Sequence, residues 1–171
     1  MDKQVFAKQL SFVHNMMVAS IPLLKFAATQ SDGALKEYFS HHIDEEEGHV
    51  DVLADDLKRL GVEQPPLDMR AIEVAGAQYY LIAHAHPAAL LGYMAALERE
   101  SHSEEALQAI EKTCGTEMKC LRLHTKLDAQ HIKELDEQIE ALPDDLKKLA
   151  RDTEQYTSQK VSACLLEMQV Q

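Results

Sequence analysis

Residues 116–142 read TEMKCLRLHTKLDAQHIKELDEQIEAL and lie between Gly115 and Pro143. Because glycine ends helices and proline interrupts them, the segment predicts one helix of about seven turns. Steps of three and four residues trace an inward stripe along this helix. The stripe consists of Leu121, His124, Asp128, His131, Leu135, Ile139 and Leu142. Both ends of the stripe are aliphatic, whereas its middle carries two imidazoles and a carboxylate.

The polar middle of this stripe predicts a site inside the protein. A buried carboxylate without a partner costs on the order of several kcal/mol, so it needs compensating groups nearby. Side chains at positions i, i+4 and i+7 project from one helix face and can reach a common metal ion. Matching ligands must then come from other helices.

The composition predicts an all-α, single-domain helical bundle spanning residues 1–171. The chain has only six glycines and five prolines, and Ala, Leu, Glu and Lys, which favour helices, are abundant. Its length suits one domain with a substantial core. A formal net charge of −12 disfavours a nucleic-acid backbone or an anionic membrane as partner.

The cysteines and the uncharged segments predict a soluble, cytoplasmic protein. Cys114, Cys120 and Cys164 form no C-x-x-C pair, and an odd number of cysteines is typical of free thiols in a reducing compartment. The N-terminal residues show no signal-peptide pattern. The longest uncharged run, residues 74–97, contains His86-Pro87, so it predicts two buried helices rather than a membrane span.

A second long helix is predicted over residues 34–60, with Gly61 just beyond its end. Its inward stripe consists of Leu35, Phe39, His42, Glu46, His49, Leu53, Leu57 and Leu60. Glu46-x-x-His49 is an i, i+3 pair that can face one ion, as in metal sites of helical bundles. The flanking Glu45 and Glu47 are predicted to be solvated.

The remaining segments predict further helices, one of which carries another buried acid. The opening helix, residues 3–30, is expected to be interrupted near Ser20-Ile21-Pro22. Asp68 and Ser103 are predicted N-caps of later helices. After Pro87, Leu91, Met94 and Glu98 share one stripe, so a glutamate again interrupts apolar positions. The last helix, after Pro143, carries no histidine and is interpreted as packing.

Three helices thus bring acids and imidazoles toward one core. The candidate metal ligands are Glu46, His49, Glu98, His124, Asp128 and His131, with His42 as a possible additional ligand. Carboxylates and imidazoles without cysteine suit iron or manganese better than structural zinc. Six ligands predict two ions with open positions, where O2 can bind. A hydrogen-bonded polar network without metal is the alternative explanation of the same residues.

Three blocks resemble the haem-oxygenase-like fold, and in particular its di-iron branch, the iron-containing redox enzymes. The blocks are HHIDEEEGHVDVLADDLKRLG (41–61), HPAALLGYMAALE (86–98) and HTKLDAQH (124–131). The family's ligands fall on the six residues already named. Many members space their first pair as Glu-x6-His, and this chain has His42 at that glutamate position. Other members use Glu-x-x-His, which Glu46 and His49 satisfy.

The resemblance implies an O2-dependent, non-haem di-iron oxidase or oxygenase acting on a small organic molecule. The implied cofactor is two Fe ions, with Mn as an alternative, and the implied reactions are oxidative C–C cleavage, decarboxylation or N-oxygenation. Phe39, Tyr80, Met94 and Leu127 are candidates for the substrate-pocket wall. The electron donor is not predicted, and a homodimer is compatible with the sequence.

Three other functions stay open at this point. A haem-binding or haem-degrading protein of the same fold would use a histidine of the first helix, for which His14 is the candidate, although a core position is the commoner role for such a residue. A cofactor-free enzyme would need Cys114 or Cys120 in its pocket. A non-catalytic helical interaction protein would keep the polar cluster as a structural network.

Overall fold

Eight α-helices make up most of residues 2–100 and 102–170, the part of the chain that this computed structural model describes, apart from the side chain of Asp128. No strand occurs within these residues, as the composition predicts. The helices are α1 (Lys3–Thr29), α2 (Gly33–Glu46), α3 (His49–Arg59), α4 (Met69–His84), α5 (Ala89–Glu98), α6 (Glu104–Cys114), α7 (Lys119–Glu140) and α8 (Asp144–Val170).

The first helix, α1, continues through Pro22, so the predicted interruption near Ser20 is wrong. Proline removes one backbone hydrogen bond to the residue four positions earlier, here Val18. Val18 and Pro22 are both exposed, so water can satisfy the freed carbonyl. Met16 and Leu23, on either side of the proline, are buried in one apolar cluster, and this packing keeps the helix continuous.

The predicted helix over residues 34–60 is two helices, because the chain turns at Glu47 and Gly48. Gly48 adopts a φ of 89°, a left-handed conformation that glycine reaches without a Cβ clash. Glu46 is therefore the last residue of α2, and His49 is the first residue of α3. The turn, not a continuous helix, sets the spacing of these two side chains.

Several predicted helix boundaries are confirmed. Asp68 caps α4 by accepting a hydrogen bond from the Arg70 amide, and Ser103 caps α6 by accepting one from Ala106. The uncharged run divides into α4 and α5 on either side of Pro87. The helix predicted from residue 116 is shorter and spans Lys119–Glu140.

A carboxylate from α3 caps the start of α7. The N-cap residue Met118 makes no side-chain hydrogen bond of its own. Asp56, which is fully buried, accepts hydrogen bonds from the Lys119 amide at 3.1 Å and the Cys120 amide at 2.8 Å, and it also binds Arg59. This contact fixes the start of the helix that carries His124 and His131.

Two apolar clusters form the core. The larger contains side chains from α1, α2, α4, α5, α7 and α8, and the smaller contains side chains from α1, α3, α6 and α7. The helices α5 and α8 approach most closely at Gly92, where an added Cβ would collide with the Ala150 carbonyl. Among the helices in the described residues, α1 has a length and composition that would allow it to cross a membrane. Ten of its side chains are nevertheless buried against the bundle.

Candidate metal centre

Four acidic and imidazole side chains from three helices converge inside the bundle. His42 and Glu46 come from α2, Glu98 from the end of α5, and His131 from α7. One nitrogen or oxygen from each lies within 4.8 Å of those of the other three. All four side chains are at most 9% exposed. A single ion could contact all four groups after small side-chain movements.

Glu46 faces two groups of histidines, one with each carboxylate oxygen. Its Oε1 lies 3.9 Å from Nε2 of His42, on the side of Glu98 and His131. Its Oε2 lies 3.3 Å from Nδ1 of His49. The His49 ring in turn packs edge-on against the ring of His124, with centroids 5.1 Å apart. Glu46 therefore lies between two pairs of histidines, His42 with His131 on one side and His49 with His124 on the other.

Several buried ligand-type atoms in this region make no hydrogen bond within the described residues. They are His42 Nδ1, Glu45 Oε2, Glu46 Oε1, His49 Nδ1 and His131 Nδ1. Buried polar atoms are rarely left in this state, because each unmade hydrogen bond costs about 1–3 kcal/mol. His42 Nδ1 and Glu45 Oε2 face each other at 3.2 Å and could satisfy each other after a small rotation, but a metal-free network should have satisfied the other three. The carboxylate and imidazole donors, together with these unsatisfied atoms, fit an iron or manganese site.

Glu45 also belongs to this region, so the prediction that it is solvated is wrong. Its Oε2 is buried and lies 3.2 Å from Nδ1 of His42 and 4.0 Å from Nε2 of His131. Its contact with His131 joins α2 to α7, and no pattern within α2 reveals it. Glu47 is exposed, as predicted.

The neighbouring charges shift the pKa values of the cluster in different directions. Burial lowers the pKa of His42, and the nearby carboxylates only partly oppose this. Glu98, 3.5 Å away, raises the pKa of His131 against the opposing effect of burial. Burial alone would raise the pKa of Glu46, but His49, His124 and His42 lower it below its usual value. The protein thus favours a neutral His42 beside an ionised Glu46, the forms that bind a metal ion.

The structure brings five of the six predicted ligands into this region, together with His42, the predicted additional ligand. Asp128 lies on α7 between His124 and His131, but its side chain is outside the described residues, so its role stays a prediction. The ligand roles of the other residues are likewise predictions from sequence and geometry. His102 lies on the wall of a neighbouring cavity.

The sequence places this bundle in a known family. Residues 4–161 match the sequence profile of a family described as iron-containing redox enzymes. The chain belongs to the iron-containing redox enzyme family. The family resemblance inferred from the three sequence blocks is thereby confirmed, and with it an oxidoreductase class in general terms.

A solved structure supports the same fold for this iron-containing redox enzyme. It is a domain of unknown function with a heme oxygenase-like fold from Shewanella denitrificans OS217. The two superpose with a TM-score of 0.82 at 17% sequence identity, covering 98% of this chain and 78% of the other. The predicted haem-oxygenase-like, all-α fold is confirmed. A comparison with curated proteins finds no significant sequence match.

An elongated cavity of about 320 Å³ lies beside the metal-ligand candidates of this iron-containing redox enzyme. Its wall includes His42, Glu46, Glu98 and His124, so any ion held there would face the cavity. Most of the other lining residues are apolar and come from both core clusters. A cavity of this kind is typical of sites that bind small organic molecules.

Of the four predicted wall residues, only Met94 lines this cavity. Tyr80 is 67% exposed, and Phe39 is fully buried away from the lining. Leu127 is half-buried and also lies outside the lining. No helix contributes more side chains to the wall than α1, a role that the sequence patterns did not predict.

The three residues named for other functions occupy different places. His14 is half-buried, with burial lowering its pKa, and it does not line the cavity. Cys120 does line the cavity, whereas Cys114 is buried away from it. Cys114, Cys120 and Cys164 are all free thiols, as predicted.

Proposed function

We propose that this protein is a non-haem di-iron oxidase or oxygenase that uses O2 to oxidise a small, mostly apolar organic molecule. One observation carries the proposal: Glu46 lies between two sets of histidines, on the wall of an apolar cavity. The family membership supports iron and redox chemistry in general. The reaction classes that the resemblance implies are oxidative C–C cleavage, decarboxylation and N-oxygenation.

The residues divide into two candidate ion sites that share Glu46. One would consist of His42, Glu98 and His131, whose ligand atoms lie close to Glu46. The other would consist of His49 and His124, with Asp128 added as predicted from the sequence. When bound, Fe(II) ions would supply electrons for the reduction of O2.

The protein's own side chains would hold the ions and protect the reaction from water. The carboxylates balance positive charge, and the imidazoles fix the geometry. The Tyr38 ring stacks on the His42 ring with centroids 5.9 Å apart and covers that imidazole on one face. Leu53, Leu90 and Met94 give the cavity a dry wall beside the ligand atoms, which strengthens electrostatic interactions within it.

Anaerobic loading with Fe(II) tests this proposal. The wild-type protein should bind about two irons per chain, as two ligand sets sharing one carboxylate require. Glu46→Ala should bind at most about one, because both sites lose a ligand. Exposure of the loaded wild-type protein to O2 should consume O2 and produce a transient visible absorption band.

His41→Ala is the matched control for His42→Ala. His41 lies next to His42, but 68% of its side chain is exposed, so its removal should leave the iron content unchanged. His42→Ala should lower the affinity for iron. Substoichiometric iron in the wild-type protein, or equal iron in the wild type and Glu46→Ala, would contradict the di-iron proposal.

A cofactor-free enzyme with a cysteine nucleophile is the second candidate, because Cys120 lines the cavity. Cys120→Ala separates the two functions. Under the di-iron proposal the variant should keep its iron and its O2 consumption. Loss of substrate turnover in Cys120→Ala, with iron binding intact, would favour the cysteine enzyme.

A further inference from the structure

The charged side chains of the cavity wall are acidic. Its acidic and imidazole lining residues are Glu46, Glu98, Glu100, His42, His102 and His124, and no Lys or Arg lines it among the described residues. Of these, Glu100 and His102 lie outside the metal-ligand candidates. The wall therefore offers carboxylates but no permanent cation.

Nearby arginines are already bound elsewhere. Arg99 follows Glu98 in the chain, but its guanidinium donates to Glu154 at 2.7 Å and to Asp136 at 2.6 Å. Arg122, on α7, binds Glu111 through two of its nitrogens. A carboxylate entering the cavity would find neither guanidinium free to pair with it.

Bound metal ions would add little net positive charge to this region. Two Fe(II) ions carry as many positive charges as the carboxylates of Glu45, Glu46, Glu98 and Asp128 carry negative ones. The whole chain, these four carboxylates included, has a net charge of −12, which repels anions and attracts cations. An unpaired carboxylate in an apolar cavity is costly, whereas an ammonium group can lie beside Glu100.

We propose that the cavity selects a mainly apolar amine over a molecule with a free carboxylate. This inference rests on the proposed function for the chemistry that follows binding. An amine bound beside the metal centre would suit N-oxygenation among the implied reactions. Binding itself can be tested without any iron.

Methionine methyl groups provide the readout, because Met16, Met17 and Met94 line the cavity. Metal-free protein with ¹³C-methyl methionine is titrated with octylamine, octanol and octanoate, which share one apolar chain. Octylamine should shift these three methyl signals and bind roughly tenfold or more tightly than octanoate, with octanol as the neutral reference. Met69, which is 63% exposed and outside the lining, should not shift.

A matched pair of variants identifies the source of the selectivity. Glu100→Gln should weaken the binding of octylamine several-fold and leave the affinity for octanol unchanged. Glu73→Gln removes the same charge from an exposed position on α4 outside the cavity and should change neither affinity.

Octanoate binding as tightly as octylamine, in metal-free or Zn(II)-loaded protein, would overturn the inference. The inference would also be overturned if none of the three probes shifted the methyl signals of the cavity methionines. Iron stoichiometry is measured separately, so a protein that binds two irons but prefers octanoate would retain the proposed function and lose only this inference.

A different observation concerns Glu45, whose buried oxygen lies between two histidines on different helices. Its Oε2 is 3.2 Å from Nδ1 of His42 and 4.0 Å from Nε2 of His131. The two rings meet nearly edge to face, with centroids 5.1 Å apart. The contact with His42 is short enough for a hydrogen bond but not aligned for one.

The second nitrogen of each ring faces a candidate ligand carboxylate. Nε2 of His42 lies 3.9 Å from Glu46, and Nδ1 of His131 lies 3.5 Å from Glu98. A neutral imidazole carries its proton on one nitrogen and offers the other to a metal. A carboxylate that accepts the ring proton fixes which nitrogen remains available.

We infer that Glu45 is a positioning residue that selects the tautomer of His42. Its Oε2 lies 3.2 Å from Nδ1 of His42, whereas Glu46 lies 3.9 Å from Nε2, so the ring proton is favoured on Nδ1. His42 then presents Nε2 to a metal ion. At His131 the nearer carboxylate is Glu98, at 3.5 Å against 4.0 Å for Glu45, so Glu45 does not set the tautomer of that ring.

Nitrogen-15 NMR of the histidine rings tests this inference in metal-free protein. At about pH 9, above the ordinary histidine pKa, His42 should be the Nδ1–H tautomer. Glu45→Leu should return His42 toward the Nε2–H form. Glu45→Gln should largely retain the wild-type tautomer, because its amide oxygen still accepts a hydrogen bond.

Glu47→Leu, an exposed position two residues away, is the control and should leave both rings unchanged. The Fe(II) affinity should fall about 10- to 100-fold in Glu45→Leu, as for other residues that orient metal ligands. Glu45→Ala provides the same comparison with a smaller side chain. A His42 tautomer that is identical in the wild type and both apolar variants would refute the inference, whatever the iron content.

Discussion

Two buried carboxylates in this protein have opposite surroundings. Asp56 is fully buried, and it accepts hydrogen bonds from two backbone amides and binds the Arg59 guanidinium. Glu46 is 9% exposed, and the side chains around it are imidazoles and other acids. Asp56 thus accepts hydrogen bonds from donors that the protein holds in place, whereas a buried oxygen of Glu46 has no hydrogen bond.

This contrast separates a structural acid from a candidate metal ligand. Burial alone does not distinguish them, since Asp56 is the more buried of the two. The difference lies in the partners: amide hydrogens and a guanidinium already compensate Asp56, whereas Glu46 still has capacity to bind a cation. Substitutions at the two sites should therefore affect different properties.

The largest effect on stability is expected for Asp56→Asn. Loss of its charge weakens the cap of α7 and leaves Arg59 without its partner, which should lower the free energy of unfolding by about 3 kcal/mol. Urea denaturation of metal-free protein measures this. Asp55→Asn, on the exposed side of the same helix, should leave the midpoint unchanged. The folded Asp56→Asn protein should bind as much iron as the wild type. A loss of iron without a loss of stability would contradict the assignment of Asp56 as a structural acid.

A somewhat smaller effect is expected when Fe(II) is added to the wild-type protein. A ligand that binds only the folded state stabilises it by about 2.7 kcal/mol at a concentration one hundred times its dissociation constant. Anaerobic urea denaturation with and without Fe(II) measures this increment. The double variant with Glu98→Ala and His131→Ala should lose it, whereas Asp56→Asn should keep it. An equal gain in stability on addition of Fe(II) in the wild type and the double variant would show that iron binds at another site.

The smallest effect concerns the pH dependence of the metal-free protein. Glu98 raises the pKa of His131 above its ordinary value of 6.5, so the folded state binds this proton more tightly than the unfolded state. The resulting stability is present below pH 6.5 and is lost as the pH rises through the raised pKa. His131→Gln should therefore lower the free energy of unfolding more at pH 5.5 than at pH 8.5.

Denaturation of the His131→Gln variant and the wild type at both pH values gives this difference directly. Because His131 also lowers the pKa of His42, repeating the comparison in a His42→Gln background separates the two contributions. The exposed His41→Gln variant is the control, and its cost should not change between the two pH values. A larger cost for His131→Gln at the higher pH would contradict the assigned direction.

Much of the fold and of the candidate site could be predicted from local patterns. The interrupted stripes located Glu46, Glu98 and His131 on separate helices, because apolar spacing shows which residues face the core. The turn at Gly48 was missed, since one glycine within a strongly helical sequence does not by itself end a helix. The continuation of α1 through Pro22 depends on packing against distant residues.

Glu45 and Asp56 show what local patterns cannot provide. Each is one of several adjacent acids on a helix, and each acts through a contact with α7, about 60 or more residues later in the chain. Helical periodicity assigns a face to a residue, but it does not identify the group on a neighbouring helix that will meet it. The role of α1 in the cavity wall was missed for the same reason.

The close crossing of α5 and α8 at Gly92 gives the two glutamates different freedom to move. Glu98 is the last residue of α5, and the backbone six residues before it, at Gly92, lies against α8, so this helix has little room to shift. Glu46 is the last residue of α2 and lies just before the turn at Gly48. Small changes of the backbone dihedral angles in this turn can change the direction of the Glu46 carboxylate. When the metal centre changes its geometry, we therefore expect Glu46 to move and Glu98 to stay in place.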